Sequence, residues 1–211
     1  MYQLFYYPGN ASMAPHLILE DLGLPFELHL VDRSVNAHQE PEYLKINPAG
    51  RIPALIDGET VLFETAAVCL HILDAHPQNG LIPDIGTPGR SHFYKWLMFL
   101  SNTIQSETLM YYYSHRYTID ADGAPNIRAG VEKRLISHFR MIDEQIGDGP
   151  YMLGDDFSAV DYYLLMVCRW ARPYSEGFRD FSNLRRLLEK TFSRPAVSRV
   201  MKSEGIEAPF Y

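Results

Sequence analysis

The strongest constraint on the fold is an abrupt change of hydrophobic periodicity across a Pro- and Gly-rich segment, HPQNGLIPDIGTPG, at 76–89. Before this segment, short alternating runs predict β-strands, and runs with apolar residues three and four apart predict helices. After it, only the helical spacing recurs. The sequence therefore predicts an α/β domain at 1–78, a linker at 79–88 and an all-helical domain at 89–211.

The first domain reads as the element order β-α-β-α-β-β-α. Its strand-like runs are YQLFY near the N-terminus, FELHLV at 26–31, PALID at 53–57 and TVLF at 60–63. Asp57-Gly58 separates the last two runs and is a strong hairpin signal. Ser12 stands where it would cap the first helix, with Pro15 in the first turn. This order predicts a mixed sheet.

The second domain is predicted from stripes of apolar residues at helical spacing. They are Phe93, Trp96, Leu97, Leu100 and Ile104; Val131, Leu135, Ile142 and Ile146; Val160, Leu164, Val167, Cys168 and Ala171; and Leu184, Leu187 and Leu188. In FSAVDY, Ser158 and Asp161 have the spacing of a capping box, and Phe157 and Tyr162 that of a hydrophobic staple. These residues predict a helix start and carry no catalytic assignment.

Composition excludes several classes of function. The formal net charge of −7 argues against binding to nucleic acid or to an anionic membrane. No apolar run approaches the roughly 20 residues that span a bilayer, and MYQLFYY lacks the features of a signal peptide. The eight histidines are scattered, so no metal site is predicted. Cys69 and Cys168 read as buried thiols of a cytoplasmic protein.

Four motifs occur in an order that resembles one family. They are YYPGNAS, NPAGRIPAL, ETAAV and FSAVDYYLL, and the resemblance covers nearly the whole chain. The sequence is similar to the cytosolic glutathione transferases. This resemblance implies a thioredoxin-like N-terminal domain with a cis-proline and a helical substrate-binding domain. It also implies a cytoplasmic, homodimeric detoxification enzyme that adds glutathione, its co-substrate, to a hydrophobic or aromatic electrophile.

The resemblance implies six contacts to glutathione: His38, Arg51, Ile52, Pro53, Glu64 and Thr65. A cis Ile52–Pro53 bond would turn the Ile52 main chain toward the cysteinyl part of the tripeptide. Thr65 and the helix N-terminus would bind the γ-glutamyl carboxylate, and Glu64 would help to hold its ammonium group. Arg51 and His38 would lie near the glycine carboxylate. Plain helix capping for Glu64 and Thr65, and solvated surface positions for His38 and Arg51, are the alternatives.

The active-site turn departs from the family pattern. The turn is nearest to that of the bacterial beta-type enzymes, which carry a cysteine where this chain has Ala11. A methyl group can neither stabilise a thiolate nor form a mixed disulfide, so thiol–disulfide exchange through a protein cysteine is not expected. A beta-type histidine is similarly replaced by Gln105. Three residues remain as candidates to activate the thiol: Ser12, Asn10 and Tyr6.

The electrophile is expected in a pocket between the domains. SETLMYYYSHRY at 106–117 supplies Tyr112, Tyr113 and Tyr117, which could pack against an aromatic substrate, although a helix or subunit contact is equally consistent. Two alternatives to transferase activity stay open. One is a glutathione-dependent isomerase, etherase or dehalogenase, and the other is a glutathione-binding regulatory or ligand-binding protein, which the alanine in the turn favours.

Overall fold

The computed structural model describes residues 1–78, 80–175 and 180–209. The chain forms two compact units. The first contains the residues up to Ile82 together with the segment that begins at Ser193, and the second runs from Pro83 to Phe192. The change of periodicity at 76–89 therefore coincides with a boundary between an α/β unit and a helical unit.

The α/β unit has the predicted order of elements. They are β1 Tyr2–Tyr6, α1 Met13–Asp21, β2 Phe26–Leu30, α2 Pro41–Leu44, β3 Ala54–Asp57, β4 Thr60–Phe63 and α3 Thr65–Ala75. The sheet order is β2-β1-β3-β4. β1 and β2 are parallel, whereas β3 is antiparallel to both β1 and β4. The predicted mixed sheet is confirmed, and so is the hairpin at Gly58, whose φ is +59°.

The helical unit follows from Pro88. Its helices are α4 Pro88–Met98, α5 Ser106–Tyr112, α6 Ala124–Ile146, α7 Ala159–Trp170 and α8 Ser182–Phe192. A π-helical segment, Phe99–Gln105, joins α4 to α5. Every residue of the four predicted apolar stripes is buried. The stripes are predictable because apolar burial at helical spacing is a local property of the sequence.

The last helix, α9 Pro195–Ser203, belongs to the α/β unit, which differs from the predicted domain boundary of 89–211. Two ion pairs join it to α1: Arg194 Nη2 lies 2.7 Å from Asp21 Oδ2, and Arg199 Nε lies 2.6 Å from Glu20 Oε2. Periodicity identifies such a helix but does not indicate its neighbour. Phe210 and Tyr211, which end the predicted domain, lie outside the described residues.

The capping box at α7 is present. Asp161 Oδ2 accepts the Ser158 N–H and O–H groups at 2.8 and 3.2 Å, and Asp161 Oδ1 accepts the Met152 N–H at 2.8 Å. The Phe157 and Tyr162 rings lie edge to face, 4.8 Å apart, as a hydrophobic staple requires. A fully buried carboxylate thus fixes both the start of α7 and the loop that precedes it.

Candidate functional site

The turn from β1 to α1 is closed by its own backbone and by one hydroxyl. The Asn10 N–H donates to the Tyr7 carbonyl at 3.1 Å. Ser12 Oγ lies 3.3 Å from the Tyr7 carbonyl, to which it donates, and 3.4 Å from the Tyr7 N–H, from which it accepts. Gly9 has φ +67°, a left-handed conformation that glycine adopts without steric cost.

The structure corrects the predicted capping role of Ser12. The residue has helical angles, φ −65° and ψ −17°, and its side chain makes no capping hydrogen bond. Its hydroxyl turns back to Tyr7 instead, because closing the turn brings the Tyr7 peptide within reach. Ser12 has no exposed surface, so its hydroxyl is a structural part of the turn. The prediction that Ser12 meets the thiol therefore gains no support from this geometry.

Asn10 is the polar side chain that the turn leaves available. Its Oδ1 accepts the Ala11 N–H at 2.8 Å, which fixes the orientation of the amide. The amide NH₂ group has no hydrogen-bond partner among residues 1–78, 80–175 and 180–209, and Asn10 is partly exposed. Two N–H donors thus stand beside the buried Ala11 methyl, and such donors suit an anionic sulfur.

The two tyrosines before the turn face opposite ways, as strand alternation predicts. Tyr6 lies edge-on to the buried His16 ring, with centroids 6.3 Å apart. Tyr7 packs on the apolar cluster that contains Ile52 and Ala54. This packing places the turn beside the loop that precedes β3. Tyr6, the third candidate activator, is partly buried against the opposite side.

The loop before β3 is shaped by one cis-proline and by hydrogen bonds from two side chains. The Ile52–Pro53 peptide bond is cis. The Arg51 carbonyl accepts the Tyr43 hydroxyl at 2.6 Å and the Asn47 amide at 2.7 Å, and burial raises the pKa of Tyr43 to about 12. Ile52 makes no main-chain hydrogen bond within the described part of the chain. Both its N–H and its C=O are therefore unengaged by the described residues.

Glu64 and Thr65 form the start of α3. Glu64 has φ +73°, in the left-handed region that a non-glycine residue rarely adopts, at a cost of about 1–3 kcal/mol. Its exposed side chain makes no capping bond, whereas Thr65 is buried. The plain capping role for Glu64 is thus not what the structure shows. A strained residue at the N-terminus of an 11-residue helix marks a place where an anionic group is favoured.

His38 and Arg51 are brought into neighbouring loops. Gln39 Nε2 donates to the Gly50 carbonyl at 3.1 Å, which ties the turn Ala37–Gln39 to the loop before Arg51. Arg51 is exposed and His38 is half-buried. The two residues implied for the glycine carboxylate thus lie on segments that contact each other, although they are 13 positions apart in the sequence.

Replacing Gly50 by alanine is expected to destabilise this pair of loops by about 1–3 kcal/mol. Gly50 has φ +58°, and an added Cβ would lie 2.5 Å from Gln39 Nε2 and 3.1 Å from the His38 carbonyl oxygen. Urea unfolding measures the loss. The control is Gly58→Ala, which has a similar φ of +59° but open space around the added Cβ. Equal losses in both variants would contradict the steric part of the expectation.

The three tyrosines predicted for the electrophile differ in their surroundings. The Tyr112 hydroxyl donates to the Trp170 carbonyl at 2.6 Å, and burial raises its pKa. Tyr113 lies beneath the Arg116 guanidinium, 4.3 Å from the ring centroid. Tyr117 is exposed in the turn after α5. α5 ends at Tyr112, so the three rings do not continue one helical face.

Gln105 ends the π-helical segment, and its Oε1 accepts the Tyr163 hydroxyl.

The buried Glu204 was not predicted as part of the site. Its Oε2 accepts the Gly9 N–H at 2.8 Å. No local pattern could have indicated that contact, because 195 positions separate the two residues. Cys69 and Cys168 are buried, and burial raises the pKa of both thiols, which disfavours the thiolate form that a nucleophile requires.

The described residues contain no group of three or more His, Cys, Asp or Glu side chains that could hold a metal ion. No helix among them is long and apolar enough to cross a membrane.

Comparisons with known proteins agree over both units. Residues 1–74 match the family model of the glutathione S-transferase N-terminal domain, and residues 112–190 match that of the C-terminal domain. Glutathione S-transferase GstA of Escherichia coli O157:H7 is 27% identical over 207 residues, covering 97% of this chain and 100% of that protein. Glutathione S-transferase GST-4.5 of Xanthomonas campestris is 26% identical over 204 residues, covering 97% and 99%.

Solved structures are similar along the same length. A glutathione transferase homologue from Sulfitobacter, with bound glutathione, has a TM-score of 0.89 at 27% identity, covering 98% of this chain and 99% of that one. The beta-class glutathione S-transferase of Sphingomonas chungbukensis has a TM-score of 0.82 at 27% identity, covering 97% and 100%.

A mixed four-stranded sheet with this order, a strand-to-helix turn between β1 and α1 and a following helical unit define the two-domain glutathione transferase fold. The two family models together match well over half of the residues. The chain belongs to the glutathione S-transferase family.

Proposed function

We propose that this protein binds glutathione on its α/β unit, stabilises the thiolate with the Asn10 amide, and adds the thiolate to a hydrophobic or aromatic electrophile. The observation that carries the proposal is the amide of Asn10, whose oxygen accepts the Ala11 N–H and whose NH₂ group has no hydrogen-bond partner among the described residues. Ser12 contributes indirectly, because its buried hydroxyl holds the turn that presents Asn10.

The tripeptide is bound by the three segments around the turn. The Ile52 main chain, next to Pro53, pairs with the cysteinyl residue. Thr65 and the N-terminus of α3 bind the γ-glutamyl carboxylate, since a helix N-terminus favours negative charge, and the exposed Glu64 carboxylate binds the ammonium group. Arg51 and His38, on their adjoining loops, bind the glycine carboxylate.

The turn can supply the free energy that is needed to lower the pKa of the glutathione thiol. A thiol with a pKa of about 8.5 is mostly protonated at neutral pH. Lowering that pKa by two units requires about 2.7 kcal/mol of preference for the thiolate. A hydrogen bond to a charged group contributes roughly 1.5–3 kcal/mol, and a helix N-terminus adds up to about 1 kcal/mol. Asn10 and the start of α1 together supply up to about 4 kcal/mol, a range that includes the requirement without a cysteine.

The bound thiol is expected to titrate about two pH units below free glutathione. Thiolate absorbance in the ultraviolet, recorded against pH with saturating protein, measures this shift. S-methylglutathione is the control, because it occupies the same site and has no thiol proton. Full occupancy with an unshifted thiol would contradict the proposal.

The electrophile contacts the aromatic residues of the helical unit. We propose Tyr112, Tyr113 and Tyr117 for this contact; the Tyr112 hydroxyl donates to the Trp170 carbonyl, so Tyr112 would offer its ring rather than its hydroxyl. A glutathione-dependent isomerase, etherase or dehalogenase would use the same thiolate. Product analysis separates these reactions, because an isomerase returns glutathione unchanged, an etherase or a dehalogenase releases an alcohol or a halide ion, and addition leaves a thioether that retains every atom of the electrophile.

One observation favours the second candidate, a glutathione-binding regulatory protein. With Ala11 in the turn and Ser12 fully buried, Asn10 is the one polar side chain of residues 8–12 left to meet the sulfur. Saturable binding of glutathione without turnover across a broad panel of electrophiles would favour this candidate over the transferase.

The family resemblance supports a cytoplasmic homodimer. Both cysteines are buried and free, which fits a reducing compartment. Sedimentation of the purified protein measures the oligomeric state, and a monomer at micromolar concentration would contradict the dimer.

A further inference from the structure

Glu204 connects three parts of the α/β unit through one buried carboxylate. It is the C-cap residue of α9, and its side chain has no exposed surface. Its Oε2 accepts the Gly9 N–H at 2.8 Å, and its Oε1 lies 2.8 Å from His16 Nδ1 on α1. The end of the last helix, the first helix and the candidate active-site turn thus meet at this group.

This placement is unfavourable for stability. A negative charge at a helix C-terminus opposes the helix dipole. Burying a carboxylate costs several kcal/mol, and well-packed apolar residues often replace a buried ion pair without loss. His16 offsets only part of the cost, because its Nε2 is buried without a hydrogen-bond partner in the described chain and its ring packs against Tyr6 and Phe26. The carboxylate therefore calls for an explanation other than stability.

We infer that Glu204 is a positioning residue, which holds Gly9 in its left-handed conformation so that Asn10 presents its amide to the sulfur of glutathione. The inference rests on the proposed function of Asn10. Gly9 directly precedes Asn10, and glycine has more backbone freedom than any other residue. Its N–H donates to a carboxylate, and such charge-assisted bonds are short and strong. Loss of this bond removes a charge-assisted restraint on the residue next to the donor.

The central test compares Glu204→Leu, which removes the acceptor, with Arg199→Gln. The Arg199 variant breaks another contact between α9 and α1, the ion pair with Glu20, but touches neither Gly9 nor Asn10. In Glu204→Leu we expect kcat to fall by about tenfold to a hundredfold, the KM for glutathione to change by less than about threefold, and the bound thiol to titrate at higher pH. In Arg199→Gln, all three should stay at the wild-type values.

A second variant keeps the inference testable if Glu204→Leu does not fold. Glutamine at 204 still offers an oxygen to the Gly9 N–H, and its amide can donate to His16 Nδ1 when the histidine proton sits on Nε2. Because an amide oxygen is a weaker acceptor than a carboxylate, Glu204→Gln should lose about threefold in kcat. Hydrogen exchange of the Gly9 amide, measured without ligand, should be faster than in Arg199→Gln.

The outcomes are distinct. A folded Glu204→Leu or Glu204→Gln protein with the kcat, thiol titration and Gly9 exchange of Arg199→Gln overturns the inference, because the carboxylate would then be structural only. An unshifted thiol in the wild-type protein instead overturns the proposed function, and the inference with it. A shifted wild-type thiol, together with a graded loss from glutamine to leucine, supports both.

Discussion

Replacing Asn10 by alanine is expected to lower kcat by about tenfold to a hundredfold and to raise the pKa of the bound glutathione thiol. The lost interaction is a hydrogen bond to a charged atom, worth roughly 1.5–3 kcal/mol. The affinity for glutathione should change little, since in the proposed binding mode the tripeptide is held mainly by the Ile52 main chain, Thr65 and Arg51. Calorimetry and the ultraviolet titration separate these two effects.

Asn10→Asp makes the test sharper. Aspartate keeps an oxygen for the Ala11 N–H, as in the wild-type turn, but it replaces the donor NH₂ group with a second, negatively charged oxygen. A like charge beside the sulfur disfavours the thiolate. The pKa of the bound thiol should therefore exceed that in Asn10→Ala. Asn126→Ala, an exposed position on α6, is the matched control. Wild-type turnover in both Asn10 variants would show that another group activates the thiol.

Replacing Asp161 by alanine is expected to destabilise the protein by about 3–5 kcal/mol, the largest loss of stability among these variants. The carboxylate accepts three hydrogen bonds in a fully buried setting, from the Met152 N–H and from both donors of Ser158. Removing it leaves backbone donors buried without acceptors. Urea unfolding measures the loss, with the exposed Asp156→Ala as control. A loss below about 1 kcal/mol would mean that water or a shift of the loop satisfies these donors.

Asp161 also gives stability a pH dependence of known sign. Burial raises its pKa from 3.8 to about 6, so the folded state binds the proton more tightly than the unfolded state does. Protonated Asp161 therefore contributes about 3 kcal/mol to the free energy of unfolding below pH 3.8. This contribution is lost as the pH rises through about 6. The stability difference between the wild type and Asp161→Asn should shrink over this range. A constant difference would contradict the assignment.

The predictable part of the structure is the part encoded by near neighbours in the sequence. The apolar stripe from Phe93 to Ile104 predicts a helix, and Asp57-Gly58 predicts a hairpin, because each depends on residues within a few positions. The π-helical segment Phe99–Gln105 lies inside that stripe and was not predicted. Leu100 and Ile104 remain buried in its wider turns, so the apolar pattern does not distinguish these turns from an α-helix.

The candidate site residues are predictions from the sequence, and the structure distinguishes between two of them in a way that local pattern does not. Asn10 and Ser12 looked equivalent in the sequence, and they differ only because the Tyr7 peptide engages the serine hydroxyl while the Ala11 N–H orients the amide. The contact of Glu204 with Gly9 depends on how α9 packs on α1, and the packing of elements far apart in the chain is not encoded in local periodicity.

The docking of α9 on α1 has a consequence for synthesis on the ribosome. The first unit contains both the start of the chain and the segment from Ser193, with the helical unit encoded between them. Domains generally fold as units, N-terminal first, as the nascent polypeptide emerges. Here the earliest-made helix must wait for the last-made helix before its charged partners, Glu20 and Asp21, meet Arg199 and Arg194. A stalled or prematurely terminated product would therefore carry an incomplete glutathione-binding half, however well its middle had folded.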